Sequence, residues 1–171
     1  MFQSIGLAVG IAVDLIIAVL LVKFANKDHA IKSKYDERQE VERGKAYRYA
    51  FYSILIYEAL MLVLEVGQIP LPLPSYVMHF TGIIVGCLVL ACYSIWKGVY
   101  WGLNNNRKRY AVIFLVCAAL NAIPVIFTIL GKAAFDAAWL NAIVLIMLAV
   151  VGVELLIKDG MDKRADSADE D

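Results

Sequence analysis

Charge is what this chain has least of across most of its length. Only 19% of its 171 residues are charged, against 61% hydrophobic, and the charges gather in three blocks with very little between them. A soluble globular domain does not leave runs of this kind. The formal net charge of zero comes from segregated blocks and says nothing about partners.

Histidine is nearly missing too. His29 and His79 are the only 2, in different segments, so no metal-ligand spacing exists and neither a metal nor a cofactor is expected. Cys87, Cys92 and Cys117 all lie in apolar runs. Two cysteines five apart on one helix point in different directions, which excludes a disulfide framework and reads the three as small buried hydrophobes. There is no nucleotide-binding loop, no HExxH and no Ser/His/Asp set that a membrane topology could assemble. An enzyme is therefore not expected, and no domain is left to host nucleic acid.

Apolar length is what the chain has instead. A hydrocarbon core about 30 Å thick needs roughly 20 helical residues, because lipid offers backbone groups no other hydrogen-bond partner. Five stretches reach that length: about Gln3 to Phe24, Ala46 to Val66, Tyr76 to Lys97, Tyr110 to Gly131 and Ala137 to Ile157. The expected fold is all-α, a single polytopic membrane domain made of a bundle of five transmembrane helices.

Orientation follows from lysine and arginine. Of the 16 in the chain, Lys132 alone falls on one side of the spans. The others stand in the first loop (Lys23, Lys27, Lys32, Lys34, Arg38, Arg43, Lys45, Arg48), the third loop (Lys97, Arg107, Lys108, Arg109) and the tail (Lys158, Lys163, Arg164). This places the N-terminus outside and the C-terminus in the cytoplasm. Tyr47, Tyr49, Tyr52, Trp96, Tyr100, Trp101 and Tyr110 crowd the same side, as amphipathic rings at an interface do. The first span has no basic residue ahead of it and reads as a retained, reverse-oriented anchor rather than a secretory signal. The basic loops would also attract anionic lipid headgroups.

Three of the four prolines stand in "IPLPLPS", Ile69 to Ser75. They forbid helix and strand pairing and predict a short extended connector, with Ser75 capping the next helix. The stretch "KYDERQEVERGKAYRYAF" opens with a D-x-x-Q cap, Asp36 with Gln39. Beyond it Arg38 with Glu42, and Glu40 with Arg43, have pairing spacing. The connector 25–45 should thus carry a capped helix from 36 that runs straight into the second span. Asp36, Glu37, Arg38, Gln39 and Arg43 are candidates for docking a protein partner or a second copy. The end, "DKRADSADED", lacks large apolar residues, and residues 159–171 are expected to form a disordered acidic tail.

From Tyr35 to Phe51, followed by a span and a proline-bearing outer loop, the chain resembles small uncharacterised multi-pass membrane proteins of Gram-positive bacteria that carry a YDERQ…RGKAY juxtamembrane motif. The resemblance implies the bacterial cytoplasmic membrane and carries over no catalytic or binding residue.

Inside the spans a few polar residues stand out. Asp14 and Glu58 sit near mid-bilayer by count, with no cation at their depth in the sequence. A charge there costs at least roughly 2.5 to 3.5 kcal/mol, so each should face the bundle interior or a hydrated cavity. Gly6, Gly10, Asp14 and Ala18 recur every four residues, a face that lets another helix come close and meet a carboxyl group. "GIIVG", Gly82 to Gly86, offers a second such face. Asn121 with Pro124 beside it adds an amide and a freed carbonyl in the fourth span. Glu65 shares a face with Glu58, with His79 as its partner, and Glu154 has Lys158 one turn away.

Asp14, Glu58, Asn121 and Glu65 are thus the candidate ion, proton or interhelical polar site. Two function classes survive: a small accessory or interaction protein of the membrane, and, as the alternative, a proton- or cation-coupled transporter or channel component. An odd span number without an internal repeat weighs against the second.

Overall fold

A computed structural model describes residues 16–132 and 138–169. Within them the chain is all-helical: α1 (Ile16–Ala25), then α2 (Glu37–Val66), α3 (Ser75–Trp96), α4 (Arg107–Ile129) and α5 (Trp139–Asp169). The helices α2 to α5 are long and apolar enough to cross a membrane. α1 is the described part of the first apolar run; Gly6, Gly10 and Asp14 lie outside the described residues.

The ends of the helices follow local chemistry. α2 begins directly after Asp36 and continues without a break to Val66. α4 begins after Asn106, whose Oδ1 accepts from the Arg109 amide at 3.3 Å, an N-cap that satisfies one of the helix's orphan donors. At the far end of α3, Gly98 takes a left-handed φ of +68°. That lets the Val99 amide reach the Ser94 carbonyl at 2.8 Å and the Gly98 amide reach Ile95 at 3.0 Å, a Schellman closure. Gly131, φ +69°, ends α4 in the same way through Lys132 to Phe127 at 2.9 Å. α2 also ends so, but its left-handed residue is Gln68, φ 53°, one position past Gly67.

Two expectations for these segments are corrected. Ser75 does not cap α3: the N-cap position is Pro74, with no side-chain cap bond, because the Ser75 hydroxyl donates to the Glu65 carboxylate instead, a charge-assisted bond. The tail is not disordered through 169: α5 continues as helix to Asp169. Lys158 bonds Asp162 one turn on at 2.6 Å, a pair at helical spacing, and alanine, lysine and arginine have high helix propensity.

The chain divides into two compact units. One takes Trp101–Val116 with the described part of Met1–Asp36, and the other takes Glu37–Tyr100 with Cys117–Asp171. In the second unit α3 is the middle helix, packed on both α2 and α5. α2 and α3 run antiparallel, since Glu42 near the start of α2 accepts from Tyr93 near the end of α3 at 2.8 Å. At the opposite ends Glu65 meets Ser75. Met61 and Ala50 of α2 and Val77 and Ile84 of α3 are buried in this unit.

Gly82 and Gly86 set how close the two helices come. A Cβ at Gly82 would stand 2.6 Å from both Glu58 Oε1 and Tyr57 Cδ1, and one at Gly86 would run into the Ile54 side chain. Both glycines therefore face α2, as small residues at close membrane-helix contacts do. Replacing Gly82 with valine should force α2 and α3 apart and cost about 1–3 kcal/mol, read as a lower unfolding temperature of the purified protein. Valine at Gly44, where an added Cβ meets nothing within 4 Å, is the control and should leave packing intact.

Candidate functional site

Close approach at Gly82 brings together the polar side chains of α2 and α3. His79, in the second turn of α3, lies between two carboxylates of α2: its Nδ1 is 2.6 Å from Glu58 Oε2 and its Nε2 is 3.2 Å from Glu65 Oε1. Glu58 and Glu65 are seven residues apart, two helical turns, so both project from one face toward the ring. Ser75 donates its hydroxyl to the same Glu65 Oε1. Beside this cluster the Tyr57 hydroxyl lies near Thr81, whose own hydroxyl donates to the Val77 carbonyl at 2.8 Å. The cluster is open on one side, with the His79, Glu58 and Glu65 side chains 42%, 34% and 35% exposed.

The expectation that Glu58 lacks a basic group at its depth is therefore corrected. Depth counted along single helices placed His79 nearer the outer surface with Glu65. In the folded pair, the imidazole reaches one carboxylate on either side of it.

Other candidate residues take different places. The Asn121 side-chain amide donates back to the Cys117 carbonyl of its own helix at 2.8 Å, and α4 is not among the helices packed on α2. Asn121 therefore does not join Glu58 and Glu65. Glu154 does not pair with Lys158, which turns to Asp162. Its carboxylate lies near the Cys92 thiol of α3, and its Oε2 is buried without a partner. The cysteines are free but not buried: Cys87 is exposed, and Cys92 and Cys117 are partly so. An apolar thiol on a lipid-facing helix has no need of burial in protein.

The juxtamembrane residues are occupied largely by their own unit. Arg43 donates to the Val99 carbonyl at 3.3 Å and to the Tyr47 hydroxyl at 2.8 Å. This ties α2 to the end of α3. Glu42 takes Lys45 at 2.7 Å and Tyr93 rather than Arg38. Tyr49 packs on the Tyr93 ring with centroids 5.2 Å apart. Asp36, Glu37, Arg38 and Gln39 form or precede the first turn of α2.

Sequence reasoning missed a second polar cluster, in the other unit. Asn26, Asn104 and Asn105 are buried and knit residues 26–34 to residues 102–105. Asn105 donates to Asn26 Oδ1 at 2.6 Å and to Ser33 at 2.9 Å, while its own Oδ1 accepts from the Gly102 amide at 2.6 Å. Asn104 accepts from the Lys34 amide at 2.8 Å and donates to Asp28 at 2.9 Å. An amide serves here because it offers donors and an acceptor at once, which lets it satisfy loop backbone that has no helix to do so. Gly102 is required, since a Cβ there would stand 2.8 Å from the Lys34 carbonyl oxygen. The run Asn104-Asn105-Asn106 was the available signal.

Asp28 in this clasp accepts from Lys34 Nζ at 2.7 Å and from Asn104. These hydrogen bonds, Lys34 first, hold its carboxyl far below its ordinary value of 3.8.

No family model matches the chain, and neither a curated protein nor a solved structure does. Among the described residues no group of three or more His, Cys, Asp or Glu side chains is arranged to hold a metal ion.

Two outcomes follow for the clasp. Asn105→Ala strips a partner from Asn26, Ser33 and the Gly102 amide, and should cost about 1–3 kcal/mol for the buried group left unsatisfied, measured by thermal unfolding. Asp28 is depressed in the fold, so the unfolded chain binds its proton first as pH falls. Its contribution is present above pH 3.8 and is lost as pH falls below that value. Asp28→Asn should therefore flatten the acid limb of stability against pH and leave the limb above pH 6 unchanged.

Proposed function

We propose that this chain is a multi-pass protein of the bacterial cytoplasmic membrane that serves as a small accessory or interaction subunit. The fold is read as five spans with the N-terminus outside and the C-terminus in the cytoplasm. The observation that carries the reading is α4. It is long and apolar enough to cross a membrane, yet none of its residues is buried. It also holds Asn121 and Pro124 mid-helix, polar and backbone features that a neighbouring helix satisfies better than lipid does. The described loops add support, because their polar groups are drawn largely into internal bonds.

A second reading, a proton- or cation-coupled transporter or channel component, has one observation in its favour: an imidazole held between two carboxylates within the spans.

The accessory reading is tested on the full chain extracted directly into native lipid discs. The expected particle holds this chain with another helical subunit or a second copy, and Asn121→Leu on α4 reduces that complex at least severalfold. A single copy alone in the discs overturns it. Orientation is checked in the same cells on a background with the native cysteines replaced by alanine. Lys132→Cys should react with an impermeant thiol reagent from outside, and Lys108→Cys only after permeabilisation.

A further inference from the structure

Proton count follows from the arrangement around His79. Each of its two ring nitrogens is hydrogen-bonded to a carboxylate oxygen, and each such bond contains one proton. A neutral imidazole brings only one. Glu65 Oε1 receives the Ser75 hydroxyl as well as Nε2, so it is the acceptor of two donors and the Nε2 proton stays on the ring. The remaining proton lies between Nδ1 and Glu58 Oε2, 2.6 Å apart. It is held either as imidazolium facing carboxylate or as neutral imidazole facing a carboxylic acid. Both distributions give the three groups one net negative charge.

We propose that Glu58, His79 and Glu65 form a proton-binding site near the α2–α3 loop, in which Glu65 fixes the ring through Nε2–H and the bound proton is shared by Nδ1 and Glu58. Ser75 and Glu65 stand at the loop ends of their helices, His79 one turn further in, and Glu58 two turns along α2 from Glu65. A proton from hydronium in loop-side water binds at the Glu58–His79 contact while Nε2 keeps its hydrogen toward Glu65. One O–H bond of hydronium breaks, leaving water, and one bond forms to Nδ1 or to Glu58 Oε2. Removing the shared proton instead leaves two lone pairs facing each other at 2.6 Å, so deprotonation opens the Glu58–His79 contact.

The groups facing the ring are few. α2 contributes Glu58 and Glu65, with the Tyr57 ring over Gly82; α3 contributes Ser75. On α5, the other helix packed on α3, Glu154 lies against Cys92, thirteen residues along from His79. The inference needs no partner protein, so it stands or falls separately from the accessory reading.

Two histidines make the test direct. In full-length protein with His29→Gln, ¹⁵N-histidine NMR in lipid discs reads His79 alone. The expected spectrum keeps a proton on Nε2 from pH 5 to pH 9 and shows Nδ1 changing between protonated and unprotonated within that range. Glu58→Gln should move that Nδ1 step by about one pH unit or more. A ring carrying its proton on Nδ1 with Nε2 bare across the range overturns the proposal. So does an Nδ1 step that Glu58→Gln leaves in place. The His29→Gln spectrum decides the tautomer even if the Glu58 variant fails to fold.

Discussion

Close contact between α2 and α3 is the constraint on which the rest of the second unit depends. Membrane helices gain nothing from hiding apolar surface from lipid, so they hold together by packing and by polar contacts. Gly82 and Gly86 supply the packing: with no Cβ between the helices, Tyr57, Glu58 and Ile54 of α2 lie directly over them. The polar contacts come at either end of the pair, Glu42 with Tyr93 and Glu65 with Ser75. Move the helices apart by the width of a methyl group and the His79 ring no longer reaches both carboxylates.

The same logic explains how the loops are built. Outside regular helix every backbone group must still find a partner, and the chain meets this with side chains chosen for it. Asparagine does so between residues 26–34 and 102–105, arginine does so at the Val99 carbonyl, and glycine in left-handed conformation closes α3 and α4. None of these residues is apolar, and all decide where a helix stops or how a loop is held.

Helix positions were legible from the sequence because they answer to local rules. The apolar run of the second expected span closes at Val66, where α2 also ends; Asp36 was expected at the start of a helix running into it, and α2 begins at Glu37. Glu65 with His79 could also be anticipated from shared placement near one end of their helices. What misled was the assumption that a polar side chain chooses the partner nearest along its own helix. Lys158 has Glu154 one turn behind and Asp162 one turn ahead and takes the latter; Glu42 takes a tyrosine from α3 in preference to Arg38.

By itself, then, the sequence determined the class of fold and most helix boundaries, since apolar length, caps and breakers act within a few residues of backbone. Tertiary structure alone decided which polar groups meet. Glu58 reaches His79, Glu154 reaches Cys92, and Asn26 reaches Asn105 across 79 residues of chain. Such pairs depend on the register and separation of neighbouring segments, and a hydropathy period of one helix contains neither.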